Sequence, residues 1–143
     1  MNPTPPRNPP LRPVIRSQAD LERVWRDLME PLGFSGHSTW MMLVDADDRP
    51  LPRLTQVEDC DRVPEPEMLT GFAELAGHLL EEVAPGGRCA LLRSRPGAGV
   101  TDVDRAWARG LVEACRELGV ATDVVHLATD VDLVPLPLDA LAA

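Results

Sequence analysis

Three short, largely apolar runs constrain the fold of this chain more than any other feature of its sequence. They span residues 40–44, 89–92 and 124–128. Runs of this length, bounded by turn residues, are typical of strands that are covered on both faces of a sheet. The segments between them carry apolar residues at helical spacing. We therefore predict a single three-layer-like α/β domain, in which helices pack on a mixed sheet.

The helical spacing predicts three helices. Ser17 is a suitable N-cap for the first, Pro66 suits the first turn of the second, and Thr101 with Asp104 forms a capping-box-like pair for the third. The residues predicted to face the core are Leu21, Val24, Trp25, Leu28 and Met29 in the first helix, Met68, Leu69, Phe72, Leu75, Ala76, Leu79, Leu80 and Val83 in the second, and Val103, Ala106, Trp107, Leu111, Ala114 and Leu118 in the third.

Two further segments are predicted to be strands. Residues 51–57 follow a turn after the run 40–44, so the two are predicted to pair as a hairpin. Pro52 indicates an edge position for the second strand, because proline cannot donate a ladder hydrogen bond. Residues 133–136 are predicted to form a short last strand. The predicted order is therefore α-β-β-α-β-α-β, followed by this short strand.

The first thirteen residues differ in composition from the rest of the chain. Six of them are proline, and hardly any apolar side chains accompany these prolines. Proline fixes φ and lacks an amide proton. We therefore predict a disordered or polyproline-like tail over residues 1–13 and a single folded domain over residues 14–143. The tail is interpreted as dispensable, and the alternative is a proline motif that binds a partner domain.

The balance of charge limits the kinds of partner. With 14 basic and 23 acidic residues the net charge is −9, which disfavours a nucleic-acid partner because phosphate binding needs a basic face. No apolar stretch approaches the ~18 residues of a membrane span, so no membrane association is expected. The three separated cysteines favour reduced thiols, and the all-arginine basic set is typical of a GC-rich bacterial genome. We expect a bacterial, cytoplasmic protein.

No complete catalytic or metal-binding motif is present. The three histidines are His37, His78 and His126. They are far apart and lack the spacing of metal ligands, and the last is expected to be a hydrogen-bonded core residue. The acidic segments 45–48 and 58–61 lack the calcium-loop pattern and are expected to be solvated turns. The glycine-rich segment 96–99 lacks the lysine of a phosphate-binding loop. No metal and no cofactor are therefore expected.

The most informative segment ends the second apolar run and opens the third helix. It has the sequence Arg93-Ser94-Arg95-Pro96-Gly97 and is followed by Thr101-x-x-Asp104. This pattern resembles the JAB/MPN metalloprotease superfamily, most closely its RadC-like bacterial branch. In that family a strand ends in His-x-His-Pro, the next helix opens with Ser-x-x-Asp, and the two histidines and the aspartate hold zinc. The resemblance spans most of the chain after the tail and implies the same kind of α/β fold.

The zinc-ligand set that the resemblance implies is incomplete in this sequence. Arg93 and Arg95 stand at the positions of the two histidines, and a protonated guanidinium has no lone pair to offer a metal. Asp104 matches the carboxylate ligand and Thr101 matches the serine. The upstream catalytic glutamate is not assigned, and Glu58 is a poor match for it. The resemblance therefore implies a degenerate member, a pseudoenzyme without zinc.

Two functions follow as expectations. The first is a non-catalytic JAB/RadC-like interaction or regulatory module with a protein partner. The alternative is a small-molecule enzyme or binding protein in which Arg93 and Arg95, beside free amides from Thr101 onward, hold an anionic group. A purely structural role is open as well, in which either arginine forms a surface or half-buried salt bridge with Asp104 or Asp102.

Overall fold

The computed structural model of the chain describes residues 13–137. The helices within that range are α1 (Gln18–Met29), α2 (Pro66–Val83) and α3 (Asp102–Glu117), and the strands are β1 (Ser38–Val44), β2 (Pro50–Val57), β3 (Arg88–Ser94), β4 (Val125–Ala128) and β5 (Leu133–Leu136). The predicted α/β class, the element order and the short last strand are confirmed.

The strands form one mixed sheet with the order β2-β1-β3-β4-β5. β1 pairs antiparallel with β2 and with β3, β3 pairs in parallel with β4, and β4 pairs antiparallel with β5. β2 lies at an edge, as Pro52 predicts. In the register between β1 and β3, Thr39 lies opposite Arg93, so the two side chains share one face of the sheet.

The sheet separates two apolar cores. On one face, α2 and α3 cover strand residues that include Met41, Leu91 and Leu127. On the other face, α1 covers the alternate residues, which include Met42 and Leu92. Because both faces are covered, the central strands are apolar throughout instead of alternating with polar residues. The three-layer arrangement is therefore confirmed.

Several residues that were predicted to face the core are exposed instead. They are Leu28, Met68, Leu75, Val83 and Leu118. A helix that packs against one side of a sheet buries only a stripe of its surface, and an apolar pattern broader than that stripe extends into solvent. The buried stripe of α2 consists of Phe72, Ala73, Ala76 and Leu80.

β3 is longer than the sequence indicates. It continues through Arg93 and Ser94, so the predicted loop 93–100 begins two residues later than expected. The apolar run stops at the arginine, but the strand does not, because that side chain is buried through an ion pair. Arg93 is therefore a strand residue with a fixed direction.

No helix within residues 13–137 is both long enough and apolar enough to cross a membrane. All three cysteines lie in this range, and they are buried and form no disulfide bond. The predicted proline-rich tail falls outside the described residues, apart from Pro13.

Candidate functional site

The four predicted site residues come together where β3 ends and α3 begins. Arg93 is the second-last residue of β3, and Arg95 follows the strand directly. Thr101 and Asp104 belong to the start of α3. A helix that follows a strand in a crossover begins at the edge where the strand ends, which brings these residues close in space. The carboxyl edge of parallel strands is also where open α/β sheets bind ligands.

Asp104 is the centre of the cluster and is 0% exposed. Its Oδ1 accepts hydrogen bonds from Arg93 Nε at 2.7 Å and from Arg95 Nε at 2.8 Å. Its Oδ2 accepts from Arg95 Nη2 at 2.7 Å and from the backbone N–H of Thr101 at 2.8 Å. A carboxylate offers about four acceptor positions, so the capacity of Asp104 is used within the chain.

Thr101 and Asp104 also form the N-terminal cap of α3. Thr101 Oγ1 accepts a hydrogen bond from the Asp104 backbone N–H at 3.2 Å, which reciprocates the bond from the Thr101 N–H to the carboxylate. The predicted capping box is confirmed. Asp104 therefore satisfies a free amide of the helix and neutralises arginine at the same time.

Arg93 connects the centre of the cluster to the segment 58–65, which joins β2 to α2 and is called here the acidic loop. The arginine is 2% exposed, and its Nη1 donates to the carbonyl of Cys60. Its guanidinium lies over the ring of Trp107, 5.8 Å from the centroid. Trp107 Nε1 in turn donates to the carbonyl of Arg62 at 2.7 Å. Two side chains of the domain core therefore hold the backbone of the acidic loop.

This support of the acidic loop is the part of the site that the sequence did not reveal. Trp107 was predicted only to face the core, and its indole N–H has no signature in the apolar spacing of α3. Cys60 carries no signal in the sequence either, because a bond that Arg93 makes to a backbone carbonyl does not depend on which side chain stands there. In the sequence, only the arginine at the end of the apolar run 89–92 points to this support of the loop.

Arg95 closes the loop between β3 and α3. The arginine is 6% exposed, and besides Asp104 its Nη1 and Nη2 reach the carbonyls of Pro96 at 2.9 Å and Gly99 at 2.7 Å. Gly97 and Gly99 have φ of 95° and 74°, a left-handed backbone that favours glycine. The glycine-rich segment is therefore wrapped around the guanidinium, and its glycines serve this conformation.

The carboxyl of Asp104 is ionised at neutral pH. Burial raises the pKa of the Asp104 carboxyl, but the hydrogen bonds from Arg95, Arg93 and Thr101 outweigh it and hold that pKa well below its usual range. The bond to Asp104 raises the pKa of Arg95 further. Two guanidiniums and one carboxylate leave one excess positive charge, which the carboxylate of Asp130 partly offsets at Arg95. Asp130 also accepts from the Gly97 N–H at 2.8 Å.

The structure corrects the expected kind of salt bridge. Both arginines pair with Asp104, and the pairs are buried instead of lying at the surface or half-buried. Asp102, the other candidate partner, pairs with Arg105 at 2.9 Å on the exposed side of α3. The sequence predicts an acid near the arginines, but their burial depends on contacts with α3, with the acidic loop and with the loop between β3 and α3.

The histidines lie in three separate elements. His37 stands just before β1, where its carbonyl accepts the Cys60 N–H at 2.9 Å, whereas His78 lies in α2 and His126 in β4. Within residues 13–137, no group of three His, Cys, Asp or Glu side chains is arranged to hold a metal ion. His78 is exposed and lies 3.4 Å from Glu82. His126 is buried in β4, where burial lowers its pKa. Its Nδ1 lies 3.2 Å from the Val124 carbonyl, and its Nε2 has no partner among the described residues.

A second ion cluster, at the opposite end of β3, was not predicted. Arg88 donates to Asp123 Oδ2 at 2.8 Å, to Asp48 Oδ1 at 2.8 Å and to the carbonyl of Ile15 at 2.8 Å. Asp45 accepts from two backbone N–H groups of the same turn, as expected for the acidic segment 45–48. Arg88 therefore ties the segment before α1 to the β1–β2 turn.

No protein-family model matches this chain, and a search of curated proteins finds none that matches. We therefore infer the function from the cluster around Asp104 and from the acidic loop that the cluster holds.

Proposed function

We propose that this chain is a non-catalytic interaction or regulatory module of the bacterial cytosol, a degenerate relative of the RadC-like branch of the JAB/MPN superfamily. One observation carries the proposal. Arg93 and Arg95 each donate both to Asp104 and to backbone carbonyls of neighbouring loops. Residues that stand where the family has zinc ligands are thus used to position loops.

The proposed relation to the family is supported only by the positions of four residues. Arg93, Arg95, Thr101 and Asp104 meet at the carboxyl end of β3 and the start of α3, which is the arrangement that the motif implies. A guanidinium cannot replace imidazole as a ligand, so this set supplies one oxygen ligand where catalysis by zinc-activated water needs three protein ligands.

The proposal is tested by elemental analysis of the purified chain and by an isopeptidase assay with added zinc. We expect no stoichiometric zinc and no metal-dependent activity. The matched variant is R93H/R95H, which restores the motif of the family. Zinc uptake by this variant alone would support the relationship, whereas one tightly bound zinc per wild-type chain would overturn the proposal.

Binding of an anionic small molecule is the second candidate, and one observation favours it. The cluster carries one excess positive charge, and Thr39 Oγ1, buried directly across from Arg93, has no hydrogen-bond partner among the described residues. Against it stand the closed contacts of Asp104 with both arginines. An anion would have to displace or share bonds that the carboxylate already makes.

A further inference from the structure

We propose that a groove beside the acidic loop binds an extended, arginine-bearing segment of a partner protein. The groove has a volume of about 630 Å³ and lies between the acidic loop, the first turn of α2 and Trp107 of α3. Sites of about 300–1,000 Å³ suit small ligands, so this one fits a few residues of extended chain and not a folded surface. The inference rests on the proposed function as an interaction module and names the chemistry of the partner.

The wall of the groove is held in place before any partner arrives. Arg93 donates to the carbonyl of Cys60, Trp107 donates to the carbonyl of Arg62, and the Cys60 N–H donates to the carbonyl of His37 at 2.9 Å. A loop that is already ordered loses little conformational entropy on binding. The buried arginine cluster thus contributes to docking indirectly, by fixing the shape of the groove.

The lining combines exposed apolar side chains with a charged rim. Val63 is 62% exposed and Met68 is 40% exposed, and both line the groove. Apolar surface that is rimmed by polar residues is typical of interaction sites. Such surface suits the aliphatic stem of an arginine, which packs on apolar groups while its head reaches the rim.

The charge of the rim selects a cationic partner. Asp59, Asp61 and Glu65 line the groove against a single arginine, Arg62, which gives the lining a net charge of −2. Within residues 13–137, none of these three carboxylates makes a hydrogen bond or an ion pair, in contrast to Asp104. Arginine matches them better than lysine, because its planar fork binds carboxylates through two parallel hydrogen bonds and is less strongly hydrated.

The test is calorimetric titration of the full chain with the blocked peptide Pro-Leu-Arg-Pro-Leu-Arg-Pro, and with a control peptide in which glutamine replaces both arginines. We expect binding of the arginine peptide with a Kd below about 1 mM at low salt, which corresponds to roughly −4 kcal/mol. High salt should weaken this binding because the contacts lie at an exposed rim. The control peptide should bind at least about fivefold more weakly.

Two double variants separate the groove from the general acidity of the chain. Asp61→Asn/Glu65→Gln removes two rim carboxylates and should weaken peptide binding at least about fivefold. Glu81→Gln/Glu117→Gln removes the same charge at exposed positions near the far ends of α2 and α3 and should leave the Kd unchanged. Matching thermal melts of wild type and the two double variants exclude unfolding as the cause.

Three results would overturn the groove proposal. They are absence of peptide binding, equal weakening by both double variants, and tighter peptide binding by a chain that lacks residues 1–12. The last would mean that the chain's own arginine-bearing N-terminal segment occupies the groove. A zinc-free chain that fails to bind the peptide refutes the groove and leaves the proposed function intact. Stoichiometric zinc refutes the proposed function whatever the peptide does.

Discussion

Asp104 has two roles at once. It neutralises two buried arginines, and it caps the N-terminus of α3. Replacing it by asparagine keeps its size and an acceptor for the Thr101 amide but removes the counter-charge of Arg93 and Arg95. Loss of one partner from a buried ion pair costs about 3–5 kcal/mol, since it leaves a buried charge uncompensated. We expect Asp104→Asn to lower the free energy of unfolding by this amount, measured by urea denaturation.

The neighbouring acid supplies the control. Asp102 is exposed and pairs only with Arg105 in the described structure, so Asp102→Asn should cost less than about 1 kcal/mol. A similar small loss for both variants would show that Asp104 does not carry the charge balance of the cluster.

The same residue predicts how stability depends on pH. The folded state holds the pKa of Asp104 below its unfolded value, so its ionised form stabilises the fold at pH values above the unfolded pKa of about 3.9. This contribution is lost as the pH falls through and below that value towards the folded pKa. We expect the stability gap between wild type and Asp104→Asn to be constant from pH 7 to pH 5 and to narrow below about pH 4. A gap that does not change down to pH 2 would contradict the assignment.

At the residue scale, the sequence predicted which side chains come together but not how far they are buried. The spacing of Arg93, Arg95 and Asp104 across a strand end and a helix start is a local property, and so is the Thr101 cap. Burial is not local. It depends on Trp107 and on the acidic loop, which are brought over Arg93 by the packing of α3 and by the path of the chain after β2.

At the scale of elements, the acidic loop is joined to α3 by the indole of Trp107. Trp107→Phe keeps most of the buried surface and removes the bond to the Arg62 carbonyl. We expect a cost of about 1 kcal/mol from the lost hydrogen bond. We also expect faster amide hydrogen exchange across residues 58–65, because a loop with fewer anchors opens more often.

Trp40→Phe is the matched control for this variant. It removes an indole bond of 2.9 Å to Ser94 Oγ, away from the acidic loop. Its cost should be similar, and exchange in residues 58–65 should stay as in wild type. Equal exchange in the two variants would show that Trp107 does not anchor the loop.

The starts of helices could be predicted because an N-terminal cap depends only on residues that are close in the sequence. Ser17 accepts from the Asp20 N–H at 3.1 Å, and Thr101 forms the capping box, as the sequence indicates. The covered face of a helix could not be predicted as well. Leu75 and Val83 share helical spacing with buried residues of α2, yet they are exposed because α3 and the sheet cover only one stripe.

At the scale of the whole molecule, Ile15 anchors the segment before α1 to the rest of the domain. Ile15 is buried, its N–H donates to the Asp48 carbonyl at 2.7 Å, and its carbonyl accepts from Arg88. From the composition of residues 1–13, we expect too little apolar surface to offset the entropy of ordering them. We expect deletion of residues 1–13 to change Tm by less than about 5 °C, measured by calorimetry.

Deletion of residues 1–15 is the control for this boundary. It removes the buried side chain and both backbone bonds of Ile15, so Tm should fall by more than about 5 °C. A large fall already on deletion of residues 1–13 would mean that the tail packs on the domain.

At this scale, the ion clusters around Arg88 and around Asp104 lie at opposite ends of one strand, β3. Arg88 joins the segment before α1 to the β1–β2 turn, and Arg93 joins α3 to the acidic loop. Both arginines flank the apolar run 89–92, and both donate to carboxylates and to backbone carbonyls. This shared use favours a structural role for arginine in this chain over a ligand-binding one.

We infer that the arginine cluster stabilises the fold and does not bind an anion. Titration with phosphate is the most direct test of this inference. Thermal unfolding would be followed for wild type, Arg93→Ala and Arg95→Ala while phosphate is titrated at constant ionic strength. A ligand that binds only the folded state stabilises it by mass action. We expect all three proteins to show the same phosphate response, because Asp104 already holds both guanidiniums. A saturable rise in Tm for wild type that either variant lacks would contradict this and would assign the cluster to anion binding.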